Sequence, residues 1–100
     1  MASPHPYYAV IFTSLKKEKT EGYELMAEKM VELAKQQVGF LGVESARQEI
    51  GITVSYWDSL EAIKRWKQHS EHLLAQELGK TQWYEQYKVR ICLVEREYAY

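Results

Sequence analysis

The sequence predicts an α+β domain in which four strands and two helices follow one another as β-α-β-β-α-β. Three observations carry that expectation. The spacing of apolar residues switches along the chain between steps of two and steps of three to four, so strand-like and helix-like segments interleave. The strand-like runs at the two ends are apolar on both faces, so the sheet they build has no wet side. The chain has 100 residues, which is one domain with material for a single core.

Residues 1–6 hold both prolines, Pro4 and Pro6, and are expected to form a loose tail ahead of a single domain over residues 7–100. Residues 7–14 are rich in β-branched and aromatic side chains. As a strand they send Tyr7, Ala9 and Ile11 to one face and Tyr8, Val10 and Phe12 to the other. Polar residues 16–21 turn the chain, and the run Lys16, Lys17, Glu18, Lys19 reads as a solvated turn. Over residues 21–38 the period changes. Tyr23, Met26, Ala27, Met30, Leu33, Ala34 and Val38 recur at three- and four-residue steps, which predicts an amphipathic helix. Thr20 is its expected N-cap and Gly39 its stop.

Residues 43–48 alternate weakly and pair, through a turn at 49–51, with a strand over residues 52–57. That strand places Ile52, Val54 and Tyr56 on one face and Thr53, Ser55 and Trp57 on the other. Asp58 or Ser59 caps a second helical region with Ala62, Ile63, Trp66 and Leu73 on one stripe and Leu74 at its edge. An unbroken helix would bring Ser70 and Glu77 onto the same stripe. A break near His69 and Ser70 is therefore expected, with Ser70 capping a second piece, Gly79 closing it and Glu77 turned to solvent, since a lone buried carboxylate is costly. Residues 83–87 read as a short helical turn or a loop carrying aromatics. Residues 89–95 are the last strand, with Val89, Ile91 and Leu93 against Cys92 and Val94.

This order is the ferredoxin-like pattern: an α+β fold with a four-stranded antiparallel sheet and both helices on one face. The other face would carry more apolar groups than a small monomer leaves in water. Pairing of two such sheets in a symmetric homodimer, a dimeric α/β barrel, is the expected remedy. Aromatic residues make up 13% of the chain and eight of them are Tyr, which suits a second buried surface or a pocket. The net charge of −1 offers no footprint for a phosphate backbone, so no nucleic-acid partner is expected. No apolar stretch approaches the ~20 residues of a membrane span, and residues 1–6 carry no targeting pattern. A single cysteine, Cys92, cannot form an internal disulfide; it is expected to be a buried structural thiol in a cytoplasmic protein. No G-x-G-x-x-G, phosphate loop, paired Cys or H-E-x-x-H occurs, so neither cofactor nor metal is expected.

The run Trp57-Asp58-Ser59-Leu60-Glu61-Ala62-Ile63-Lys64-Arg65-Trp66, followed by His69, His72, Ala75, Gln76, Gly79, Trp83, Tyr84 and the final strand, resembles the antibiotic biosynthesis monooxygenase (ABM) family. The resemblance covers nearly the whole chain in element order. It implies a dimeric barrel with a cleft between the sheet and its helices, and a small hydrophobic or aromatic molecule as partner. It does not imply one reaction, because the family includes cofactor-free monooxygenases, quinol monooxygenases, haem-degrading enzymes and proteins of no known activity. The haem-degrading branch requires a His late in the second helical region, a Trp a few turns earlier and an Asn on the first strand. Trp66 matches the Trp, but the ligand position falls at Gln76, a poor iron ligand, and the chain contains no Asn. His72 sits one turn too early. The cofactor-free branch asks only for a site that excludes water, a base, and donors that hold an oxyanion while the substrate anion passes an electron to O₂.

For that chemistry the candidate bases are His72, favoured by its place in the family-like run, and His69, nearer the apolar stripe of an unbroken helix. Structural or solvated roles are the alternative for both. Trp66 is a stacking wall for a planar substrate or a packing residue. Tyr56, Trp83 and Tyr84 are hydrogen-bond donors or packing residues, and Phe40, in the loop after the first helix, is a candidate lid. The sequence thus reads as a cofactor-independent monooxygenase-like protein for a small aromatic or quinol. A non-catalytic barrel that binds such a molecule is the alternative, and a haem protein the third reading.

Overall fold

Period-two alternation and period-3.6 stripes sort the chain into six elements in the computed structural model, which describes residues 6–18, 22–77 and 84–100, with residues 73–77 as backbone only. They are β1 (Tyr7–Lys16), α1 (Tyr23–Lys35), β2 (Phe40–Arg47), β3 (Gly51–Trp57), α2 (Leu60–Glu77) and β4 (Tyr84–Val94). The strands form one sheet in the order β2-β3-β1-β4, and every neighbouring pair is antiparallel. This is the ferredoxin-like arrangement.

Cross-strand register decides which side chains share a face. Tyr8 lies opposite Trp57 on one side and Leu93 on the other; Val10 lies between Ser55 and Ile91, and Phe12 between Thr53 and Val89. These residues face the helices. There Trp57, fully buried, packs with Ala34 of α1 and Ala62 and Ile63 of α2, flanked by Tyr8, Val10, Phe40 and Trp66. The Trp57 indole N–H donates to Ser55 Oγ at 2.9 Å, so the buried ring leaves no polar atom unpaired. Gly39 brings the α1–β2 turn against the start of α2. Its φ of 93° is left-handed, an added Cβ would lie 2.6 Å from Ala62 Cβ, and its carbonyl accepts the Asp58 N–H at 2.8 Å.

Several boundaries differ from the sequence reading. α1 ends at Lys35, four residues before Gly39, because its last turn tightens: Gln36 N–H donates to Leu33 O and Gln37 Nε2 donates to the same carbonyl. Val38, expected on the apolar stripe, is exposed. The residue before the helix is Gly22 at φ 81°, with no side-chain cap, and Thr20 lies outside the described residues. Residues 40–42 are strand rather than loop, with Leu41 as the extra residue of a bulge between Phe40 and Gly42. Tyr84–Tyr87 also belong to a strand, since they continue the ladder with β1 across a shift at Leu15/Lys16.

The expected break in the second helix is absent. α2 runs 18 residues without interruption. Ser70 stays helical because its hydroxyl donates to Lys67 O at 3.0 Å, which satisfies it within the helix. Ser59 caps the start, accepting the Ala62 N–H at 3.1 Å. Gly79 and the Glu77 side chain lie outside the described residues.

The face away from the helices carries Tyr7, Ala9, Ile11, Val54, Tyr56 and Cys92. One end of it is covered by the chain itself. Tyr7 is only 7% exposed there, and Glu97, in the irregular segment after β4, hydrogen-bonds its hydroxyl. Toward the other end Ile11 and Val54 are half-buried and Ile52 is exposed. Cys92 is half-buried rather than buried.

Candidate functional site

Among the described residues, the helix-facing side of β4 is left open. Alternation and register direct Val89, Ile91 and Leu93 toward the helices, yet they remain 49, 53 and 53% exposed. Helices normally cover such positions. α1 packs on β2 and α2 on β3, so the β4 edge keeps an apolar strip between sheet and helices. Its inner wall is formed by Tyr8, Val10 and Phe12 of β1.

Trp66 and Phe40 converge on the same core ring. Trp66 stacks on Trp57 at 5.9 Å, and Phe40 meets Trp57 edge-on at 5.4 Å. Phe40 is thus a strand residue facing inward. Tyr56 is placed elsewhere. It faces away from the helices, beside Tyr7 at 6.0 Å, so the sheet separates it from Trp66. Burial first, then the carboxylates of Glu44 and Glu97, push its phenol above the usual range. His69 and His72 are both exposed on α2. The unbroken helix puts His69 one turn after Trp66 and nearer the buried stripe; His72 points farther round. Trp83 lies outside the described residues.

Tyr84 sits at the far end of the helix-facing side, in an aromatic cluster. Phe12 lies 5.4 Å from Tyr84 and 5.6 Å from Tyr87, and Tyr23 of α1 meets Tyr84 edge-on at 5.7 Å. Burial raises the Tyr84 phenol well above its ordinary range, and a hydrogen bond with Tyr23 and the Tyr23 charge act in the same direction; the nearby Arg47 cation opposes them. Tyr84 is therefore a neutral donor across the working pH range.

Arg47 was not among the residues singled out by sequence reasoning. It follows Val43 and Ser45 on the helix-facing side of β2. Its guanidinium crosses Gly51, whose missing side chain leaves the room, and donates from Nη2 to the buried Ser14 hydroxyl at 2.5 Å and to Tyr23 Oη at 3.4 Å. Lys16 Nζ also approaches the Tyr23 ring, 4.5 Å from its centroid, with Arg47 at 5.6 Å. The signal was present in the alternation, which directs a cation inward where a charge is costly. Among the described residues no group of His, Cys, Asp and Glu is arranged to hold a metal ion, and no helix is long and apolar enough to cross a membrane.

Comparison with known proteins agrees with this geometry. The antibiotic biosynthesis monooxygenase family model matches residues 6–78. The uncharacterized protein YqjZ of Bacillus subtilis is 56% identical over 94 residues, covering 92% of this chain and 82% of that protein. The crystal structure of PA3566 from Pseudomonas aeruginosa superposes with a TM-score of 0.72 at 18% identity, over 97% of this chain and 100% of that one. SnoaB from Streptomyces nogalater, a cofactor-independent oxygenase, superposes with a TM-score of 0.74 at 9% identity, over 91% and 95% of the two chains. At those identities the structural matches speak for the fold, and the family model speaks for descent: the chain belongs to the antibiotic biosynthesis monooxygenase family.

Proposed function

We propose that this protein is a cofactor-independent monooxygenase for a small aromatic or quinol, acting as a homodimer with one cleft per subunit. The observation that carries the reading is the half-exposed apolar strip of Val89, Ile91 and Leu93 on the helix-facing side of the sheet. An apolar strip beside stacked aromatics suits a flat ring, which displaces water from it on docking. SnoaB, described as a cofactor-independent oxygenase, shares the fold.

In this reading Trp66 forms a wall for the ring and Phe40 supports it through Trp57. His69 takes the substrate proton, and His72 is the second candidate. Tyr84, kept neutral by burial, lies with Tyr23 at the far end of this side and donates only to a substrate that reaches that end. The electron-rich anion then reduces O₂ directly. Tyr56, on the opposite face, serves sheet packing and the dimer. The pairing surface is that same face, where Ile11, Val54 and the exposed Ile52 lie beyond the reach of Glu97.

Oxygen uptake by the purified protein, against a panel of quinols and hydroxyanthrones and with nothing added, tests the reading. Uptake above the spontaneous rate that falls at least about tenfold in His69→Ala, in line with the usual contribution of a general base, supports it. The exposure of both histidines favours a second reading, a barrel that binds the same molecules without turnover. Tight binding of a quinol that survives unchanged in air would move the assignment there.

A further inference from the structure

We infer that the Arg47 end of the helix-facing side is a recognition site for an aryl carboxylate, which the guanidinium grips while the ring lies along Phe12, Tyr84 and Tyr87. The inference rests on the proposed cleft as a binding site and requires no turnover.

Four observations carry it. Arg47 is directed inward by strand alternation, on the same side of the sheet as the half-exposed strip of β4. Its guanidinium is held in place. Gly51 leaves the space it crosses, and Ser14, itself buried, accepts from Nη2. Both of its side-chain hydrogen bonds use Nη2, so among the described residues Nε and Nη1 donate to nothing. Among the described residues, ion pairs join Lys35 to Glu32, Arg65 to Glu61 and Lys67 to Glu71, and none involves Arg47.

A fixed guanidinium whose Nη1 end is open offers a carboxylate a charge-assisted hydrogen bond at a defined position. Its neighbours are aromatic. Tyr23 contributes a ring 5.6 Å from the guanidinium carbon, and Phe12, Tyr84 and Tyr87 lie in ring contact with one another. Lys16, 4.5 Å from the Tyr23 ring centroid, adds a second positive charge to the same neighbourhood. A small aliphatic acid would leave those rings unused, and a neutral quinol would leave the cation unanswered. A ring bearing a carboxylate answers both.

The test uses 2-naphthoate and its neutral methyl ester as probes, with binding measured by calorimetry on the whole protein near neutral pH. The wild type is expected to bind the acid at least about tenfold more tightly than the ester, the scale of a charge-assisted hydrogen bond. In Arg47→Gln the preference should fall to about one while ester binding is retained. Arg47→Lys, which keeps the charge and loses the held planar donor, should keep only part of the preference. Because Arg47 also ties β2 to β1, Ser14→Ala is included; it loosens the guanidinium and should reduce the preference several-fold while ester binding is retained. Equal affinity for acid and ester in the wild type overturns the inference, as does a preference that survives Arg47→Gln. Acid preference without oxygen uptake leaves the site standing and removes the enzyme reading; oxygen uptake without acid preference does the reverse.

Discussion

At the scale of single residues, the side chains that matter most are those whose polar atoms are taken out of water and still satisfied. Trp57 is fully buried and keeps its N–H on Ser55; Ser14 is buried and keeps its hydroxyl on Arg47. Tyr84 is the clearest case for a pH effect. Its phenol titrates above the value it has in the unfolded chain, so the folded state holds its proton longer. Below the ordinary tyrosine range of about 10 both states are protonated and the contribution is complete. As pH rises past that range the unfolded chain ionises first, and stability falls until the folded phenol ionises too. Thermal midpoints measured from pH 8 upward should therefore decline through the alkaline range, and Tyr84→Phe should make that decline shallower. An equally steep decline in the variant would assign the effect to Tyr7 and Tyr56, which burial also raises.

At the scale of elements, α2 shows how local chemistry can outvote a pattern. The wheel places Ser70 among apolar neighbours, which suggested a break, but a serine can return its hydroxyl to a carbonyl one turn back and remain helical. The helix depends more on its start, where Ser59 closes the first turn and Ala62 and Ile63 follow at once into the core. Ser59→Ala should cost about 1 kcal/mol, read from urea midpoints with an unchanged slope. No loss would mean that Asp58 or water takes over the cap. The aromatic strand start at Tyr84 is another instance. Its residues have no helical or strand period of their own, and the ladder with β1 decides for strand.

At the scale of the whole molecule, the described residues close the sheet on the helix side over β2, β3 and β1 and leave it open at β4, and they cover its other face at the Tyr7 end. Two surfaces follow, one suited to a ligand and one to a second copy. A dimer is expected to persist at micromolar concentration, and Ile52→Lys, which puts a charge on the uncovered part of the face, should shift light-scattering mass toward the monomer without loss of secondary structure. A well-folded monomeric wild type would sink the dimer.

The order of elements, the two-sided apolar strands and the stripe that carries Trp66 were legible in the sequence, because strand and helix periods are local properties that each segment states for itself. The run from Trp57 to Trp66 was enough to indicate the family. What tertiary structure decided is non-local. Which face of the sheet takes the helices follows from strand order and register, and that choice separates Tyr56 from Trp66. Burial of Tyr7 depends on a segment ninety residues away in the chain, at Glu97. The meeting of Arg47 with Ser14 spans 33 residues and needs Gly51 beneath it. No local period announces such a contact. It exists only once antiparallel pairing has brought β1, β3 and β2 side by side.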